Sequence, residues 1–196
     1  EKLAKALLEQ HNRCLAAKDK ALRYSPRVTF LKAAIEKMGC KLPDESIECR
    51  RCDESMTGGF TLNAEAGASQ QGGKPQPTII LCEEVQIMRQ QRVVDSTLAH
   101  ELVHAFDACR VKADFTNCLH HACTEIRASN LSGECAWKME WDRGNVAITR
   151  QQEKCVKRRA ALSLAANPSC KGQEQQFIDA AWPFCSRDDE PFDANP

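Results

Sequence analysis

The chain has 196 residues, 42% hydrophobic and 28% charged, and its 27 Lys+Arg balance 27 Asp+Glu to a net charge of +0. One domain, or two small ones, fits this length. A neutral balance excludes binding of nucleic acid through bulk positive charge, and the absence of any run near ~18 uninterrupted apolar residues excludes a membrane-spanning helix. The chain opens at Glu1 without an apolar signal segment, so any address segment of a precursor is expected to be absent.

Residues 1–23 read as a helix, with a loose stripe of Leu3, Ala6, Leu7, Ala17, Ala21 and Leu22. A second helix follows: Ser25 is placed to cap it, Pro26 fits the first helical position, and Gly39 marks its end. Phe30, Leu31, Ala34, Ile35 and Met38 are expected on its inner face. From Cys40 to Cys82 the helical period disappears and Gly and Pro punctuate the chain. Three short strands are predicted there, at 46–49, 59–62 and 78–82, with a mobile loop over 64–77. Helix is expected to return from Glu83 to about Phe184, broken near Pro168, before an irregular tail. The expected organisation is therefore N-terminal helices over 1–39, a main domain with C-terminal helices over 40–185, and a tail over 186–196.

Cysteine is the loudest compositional signal: 12 residues, against only 6% aromatics. An even count in a core short of large fillers points to cross-links of ~2–4 kcal/mol each and to an oxidising compartment. The competing use is zinc ligation. Only Cys49-Arg-Arg-Cys52 has suitable spacing, and a matching second pair is missing. Cys155, Cys170 and Cys185 are evenly spaced, which suits bridged helical hairpins.

The chemistry-bearing segment is Leu98-Ala99-His100-Glu101-Leu102-Val103-His104-Ala105-Phe106-Asp107. On a helix, His100 and His104 project from one face a turn apart, the spacing that puts two imidazoles on one zinc ion. Glu101 is placed to act as general base toward water on that ion. Val94, Leu98, Leu102 and Phe106 form a separate apolar stripe, and Asp95 or Ser96 is expected to cap the helix. A catalytic zinc wants a third ligand. Glu125, on a second predicted helix about twenty residues on, is the favoured candidate; His120, His121 and Asp107 are alternatives. The basic run Lys154, Lys157, Arg158 and Arg159 is a candidate for anionic lipid, and more commonly such a run is a solvated helix face. Trp137, Met139, Trp141, Trp182 and Phe184 are candidates to dock a partner, although such residues more often belong to the core.

The H-E-x-x-H segment, and the later run Ala122-Cys123-Thr124-Glu125-Ile126-Arg127-Ala128-Ser129-Asn130-Leu131-Ser132-Gly133-Glu134-Cys135, resemble two signatures of the mitochondrial zinc protease family that processes an ATP synthase subunit. Cys49–Cys52, Gly58-Gly59-Phe60, Ile80-Leu81-Cys82 and Glu190-Pro191-Phe192 extend the resemblance over about residues 28–192. A supporting acid often follows the glutamate ligand by one turn in glutamate zincins; here Ser129 holds that place, and Asp107 is the expected substitute.

The resemblance implies an α+β zincin-like fold, mainly helical with a small sheet of about three strands and rich in disulfides. It implies one Zn2+ on His100, His104 and Glu125, with Glu101 catalytic. It further implies peripheral association with the inner membrane on the intermembrane-space side, folding through a disulfide relay oxidoreductase, and removal of an N-terminal presegment from an ATP synthase membrane subunit precursor. Assistance to membrane-sector assembly and turnover of an intermembrane-space lipid-transfer protein also belong to the family. The alternative reading is a non-catalytic assembly factor in which zinc and disulfides only hold a binding surface. An extended substrate is expected to pair along Thr78–Cys82.

Overall fold

The computed structural model describes residues 2–52, 56–63, 76–111, 113–145 and 149–192. The fold is α+β: helices α1 (Lys2–Tyr24), α2 (Pro26–Lys37), α3 (Gln91–Arg110), α4 (Cys118–Leu131), α5 (Trp137–Asp142), α6 (Gln151–Ala166) and α7 (Glu174–Cys185), with strands β1 (Ile47–Arg50), β2 (Gly58–Asn63) and β3 (Gln76–Cys82) between α2 and α3. No helix among the described residues is long and apolar enough to cross a membrane. The chain divides into two compact units, residues 1–105 and 106–196.

In the first unit, α2 starts at Pro26 as its fixed φ favours, and Gly39 ends the turn with φ +79°, a conformation costly for other residues. Ser25 holds the N-cap position without a side-chain bond. The buried stripe is Val28, Leu31 and Ile35, whereas Phe30 is 42% exposed, a correction to the expected face. Those buried positions follow the i, i+3, i+7 spacing, and Phe30 falls a residue off that line.

β1 lies parallel to β3 and β2 antiparallel to it, in the order β1-β3-β2. Thr78–Cys82 is thus the central strand, not an exposed edge: its backbone groups are engaged on both sides, so an added substrate strand finds no unpaired ladder there. The expected loop over 64–77 lies outside the described residues up to 75, and Gln76 and Pro77 already belong to β3. Cys14–Cys49 ties α1 to β1, and Cys52–Cys82 ties the chain just after β1 to the end of β3. The two cysteines of the C-x-x-C stretch therefore have different partners and cannot share a metal.

In the second unit, Asn117 caps α4 by accepting from the backbone N–H groups of Leu119 and His120 at 2.9 and 3.3 Å. Cys118–Cys170, Cys123–Cys185 and Cys135–Cys155 tie the segment 118–135 to α6, α7 and the turn between them. The evenly spaced cysteines thus each take one partner from that segment. These six cysteines sit in the core with Ala122, Ile126, Val156, Ala160, Leu164, Ile178 and Ala181. Cystine sulfur fills the space that aromatics would occupy elsewhere, and closing loops of 52 and 62 residues restricts the unfolded chain by ~4 kcal/mol each. Cys40 and Cys109 are also disulfide-bonded, and no cysteine is free.

The basic run on α6 is largely consumed by ion pairs. Lys157 meets Glu153 at 3.1 Å and Asp179 at 3.5 Å, Arg158 meets Glu140 at 2.7 Å, and Arg159 meets Glu134 at 2.8 Å. Lys157 also lies over the Trp182 ring, 4.7 Å from its centre. Of the aromatic and Met candidates, Met139 is buried, Phe184 is exposed, and Trp137 and Trp141 stack on each other at 5.3 Å with about half their surface in solvent.

Glu140 is a pH-sensitive element of this unit. Burial alone pushes its carboxyl up, but hydrogen bonds from Arg158 and Arg143 outweigh that and hold it below the usual glutamate range. A lowered folded pKa contributes stability that is present above the unfolded value and lost as pH falls through the folded one. Glu140→Gln is expected to cost about 2 kcal/mol at pH 7. The deficit should shrink as pH drops below ~4.3, in urea midpoints measured across pH. A deficit that stays constant down to pH 3 contradicts this assignment.

Candidate metal centre

α3 starts at Gln91, a turn earlier than the expected cap. Gln91 Nε2 donates to the Ala17 carbonyl of α1 at 2.9 Å and to Asp95 Oδ1 at 2.8 Å. Asp95 and Ser96 are therefore interior residues, with the Ser96 hydroxyl bonded back to the Val93 carbonyl. The predicted stripe of Val94, Leu98, Leu102 and Phe106 is buried, but so are Val93, Ala99, Val103 and Ala105. The helix is enclosed nearly all round, so its polar residues sit in a low-dielectric setting.

Glu101 and His104 are 6% and 4% exposed, and His100 is half-buried. The two imidazole rings stand edge-on at 4.8 Å between centres, as one helical turn requires. β2 closes on this face. Phe60 lies 6.1 Å from the His104 ring, and a side chain at Gly58 would meet Thr97 Cγ2 at 2.7 Å, the Ile80 carbonyl at 3.0 Å and Glu101 Oε1 at 3.3 Å. Glycine at 58 is what lets the strand approach the carboxylate; the sequence marked it as punctuation and as part of the resemblance, without this reason.

Among the described residues, one group of His, Cys, Asp or Glu has ligand atoms close enough to share an ion. It is His100, His104 and Glu125, within 4.8 Å of one another. Two imidazoles and a carboxylate are a donor set that suits a catalytic zinc ion and leaves room for water.

The alternative ligands have other tasks. His120 is exposed, and its Nδ1 accepts from the Asp114 N–H at 3.4 Å. His121 Nε2 lies 3.4 Å from Glu125 Oε1, beside the favoured ligand. Asp107 is buried, with both oxygens 3.0 Å from Arg127 Nε and one accepting from the Thr124 hydroxyl at 3.1 Å. Ser129 is fully buried, and its hydroxyl has no hydrogen-bond partner among the described residues.

Arg127 is the residue the sequence undersold, since it stands there only as one member of the 122–135 run. Its side chain is 1% exposed and, besides Asp107, it donates to the Asp188 carbonyl, pairs with the Asp188 carboxylate, and donates to the Glu190 carbonyl at 2.7 Å. Arg110 adds bonds to Asp188 Oδ2 and Glu190 Oε2, both at 2.7 Å. Burial would raise the Asp188 carboxyl, but the Arg110 hydrogen bond and the Arg127 charge hold it below the ordinary aspartate range. The last turn of α3, α4 and the segment 188–190 are thereby locked in one ionic knot. The Asp three residues after the second histidine was the one available signal.

A helical His-Glu-x-x-His with a carboxylate drawn to the same ligand group is the pattern that metal-dependent peptidases use. The chain belongs to the Peptidase M76 family, whose sequence profile matches residues 12–193. It is 40% identical over 185 residues to the mitochondrial inner membrane protease atp23 of Emericella nidulans, covering 92% of this chain and 71% of that one. The protein of the same name from Neosartorya fischeri is 42% identical over 92% of this chain and 72% of its own. That of Coccidioides immitis is 40% identical over 94% and 73%. No solved structure gives a significant match.

Proposed function

We propose that this metallopeptidase is a zinc endopeptidase of the mitochondrial intermembrane space, bound peripherally to the inner membrane, which removes an N-terminal presegment from an ATP synthase membrane subunit precursor. The observation that carries the reading is the ligand group His100, His104 and Glu125 with a buried Glu101 between the two histidines in sequence. The names of the fungal relatives support a mitochondrial inner-membrane setting. The complete use of cysteines in disulfides supports an oxidising compartment and assembly through a disulfide relay.

His100, His104 and Glu125 hold the metal. When bound, zinc supplies a Lewis acid that polarises the scissile carbonyl and acidifies water. Glu101 accepts the proton of the attacking water and returns it to the departing amine. Its burial strengthens both transfers, because bulk water does not screen them. An extended substrate pairs along β2, an edge strand whose Gly58 and Phe60 lie against Glu101 and His104. A purely structural metal site, the assembly-factor reading, has no use for a buried base at this position.

The direct test incubates the purified chain with the precursor subunit and identifies the new N-terminus by mass spectrometry. One discrete cut near the N-terminus is expected. It should be lost on chelation and restored by zinc. An intact precursor in the presence of zinc-loaded protein that cleaves other peptides contradicts the substrate assignment.

A further inference from the structure

The carboxylate of Glu125 is held by a relay that ordinary helix packing does not require. Ser163, on α6, donates its hydroxyl to Glu125 Oε1 at 2.6 Å. The His121 ring stands on the same oxygen, with Nε2 3.4 Å from Glu125 Oε1 and 3.4 Å from Ser163 Oγ. Behind it, the Asn167 amide nitrogen lies 3.1 Å from His121 Nδ1. The orientation of that amide is fixed by two backbone groups: its nitrogen donates to the Phe115 carbonyl at 3.3 Å, and its oxygen accepts from the Ser169 N–H at 3.0 Å. Asn167 is therefore the donor to Nδ1, which leaves Nε2 as the nitrogen that faces Glu125 Oε1 and Ser163 Oγ. One donor, the Ser163 hydroxyl of α6, and one neighbouring ring, His121 of α4, meet on a single oxygen of Glu125.

Resting on the reading of Glu125 as a metal ligand, we propose that Ser163 is a positioning residue for that ligand. Its hydroxyl, backed by the His121–Asn167 pair, fixes the rotation of the carboxylate, so that the chain presents a preset oxygen to the metal. A free glutamate side chain must give up rotamer freedom each time it binds an ion; a carboxylate already held by hydrogen bonds has lost that freedom on folding. The relay runs through α6, so Ser163 lies 38 residues from its target, and no local motif announces it.

The test measures zinc affinity of the full oxidised chain by competition with a chromogenic chelator, together with the melting temperature of the zinc-free protein. Ser163→Ala is expected to weaken zinc about tenfold or more, in addition to the modest lowering of zinc-free melting that losing one hydrogen bond to a buried carboxylate brings. Ser163→Thr, which keeps the hydroxyl, should restore most of the affinity. In a Glu125→Gln background, Ser163→Ala should add no further loss, since both changes act through one ligand. Wild-type affinity in Ser163→Ala, beside a clear loss in Glu125→Gln, overturns the positioning role and leaves the ligand assignment standing. Equal losses in Ser163→Ala and Ser163→Thr overturn it as well, because the hydroxyl is then not the agent. Wild-type affinity in Glu125→Gln removes the ligand assignment itself.

Discussion

Glu101→Gln is expected to lower peptide cleavage about a thousandfold or more while the protein keeps its fold and its zinc. Gln has the size and shape of Glu, so the tight space beside Gly58 and Thr97 stays filled. What is lost is the ability to accept a proton. Positioned general acid–base catalysis is worth about 10²–10⁴-fold, and here one carboxylate serves both the attack and the departure of the amine. The proposed ligands His100 and His104 are untouched, so elemental analysis should find the same zinc per chain in variant and wild type. The measurement is kcat on a peptide substrate, with zinc content determined on the same sample. Peptide hydrolysis at the wild-type rate would falsify the assignment of Glu101 as base. Loss of zinc together with activity would make it a structural residue instead.

Arg127→Met should be the most damaging substitution for the second unit, at about 3–5 kcal/mol. The guanidinium is 1% exposed. Its removal leaves the buried Asp107 with only the Thr124 hydroxyl and a more distant Arg110 at 3.5 Å, and deprives the carbonyls of Asp188 and Glu190 of their donor. An unpaired buried charge costs more than the pair contributes, because no water replaces the missing partner. Small domains have only about 5–15 kcal/mol in total, so this is a large share. Lysine at 127 should recover only part of the loss, since one ammonium cannot reproduce a planar fork that serves acceptors on three residues, Asp107, Asp188 and Glu190. Urea unfolding with the disulfides intact measures the effect. A cost below about 1 kcal/mol would show that the buried knot contributes little net stability.

Much of the site was legible because local spacing carried it. His100 and His104 are four apart, and no other geometry than a helix brings them together so economically. Glu125 was readable as a helix-borne acid at a returning distance. The three strands and the limits of α1 and α2 followed from Gly, Pro and hydrophobic period, whereas the helical stretch expected over 83–184 is divided, among the described residues, into five separate helices that periodicity did not delimit. The start of α3 was misplaced because Gln91 anchors it from outside, through the Ala17 carbonyl of α1, 74 residues away. Phe30 and the central position of β3 also depended on tertiary neighbours. Cystine pairing was closed to sequence reading, since twelve cysteines allow too many connectivities. Arg127 and Ser163 share the same cause of invisibility: each acts on a residue whose importance is local, from a place set by packing.

The central claim is that His100, His104 and Glu125 hold a zinc ion beside Glu101. The most direct measurement is anomalous scattering at the zinc edge, from crystals of protein purified without chelators. One strong peak is expected about 2.0–2.2 Å from a nitrogen of each histidine and an oxygen of Glu125. A map with no zinc signal at those side chains, or with the two imidazoles bound to separate ions, would contradict the account.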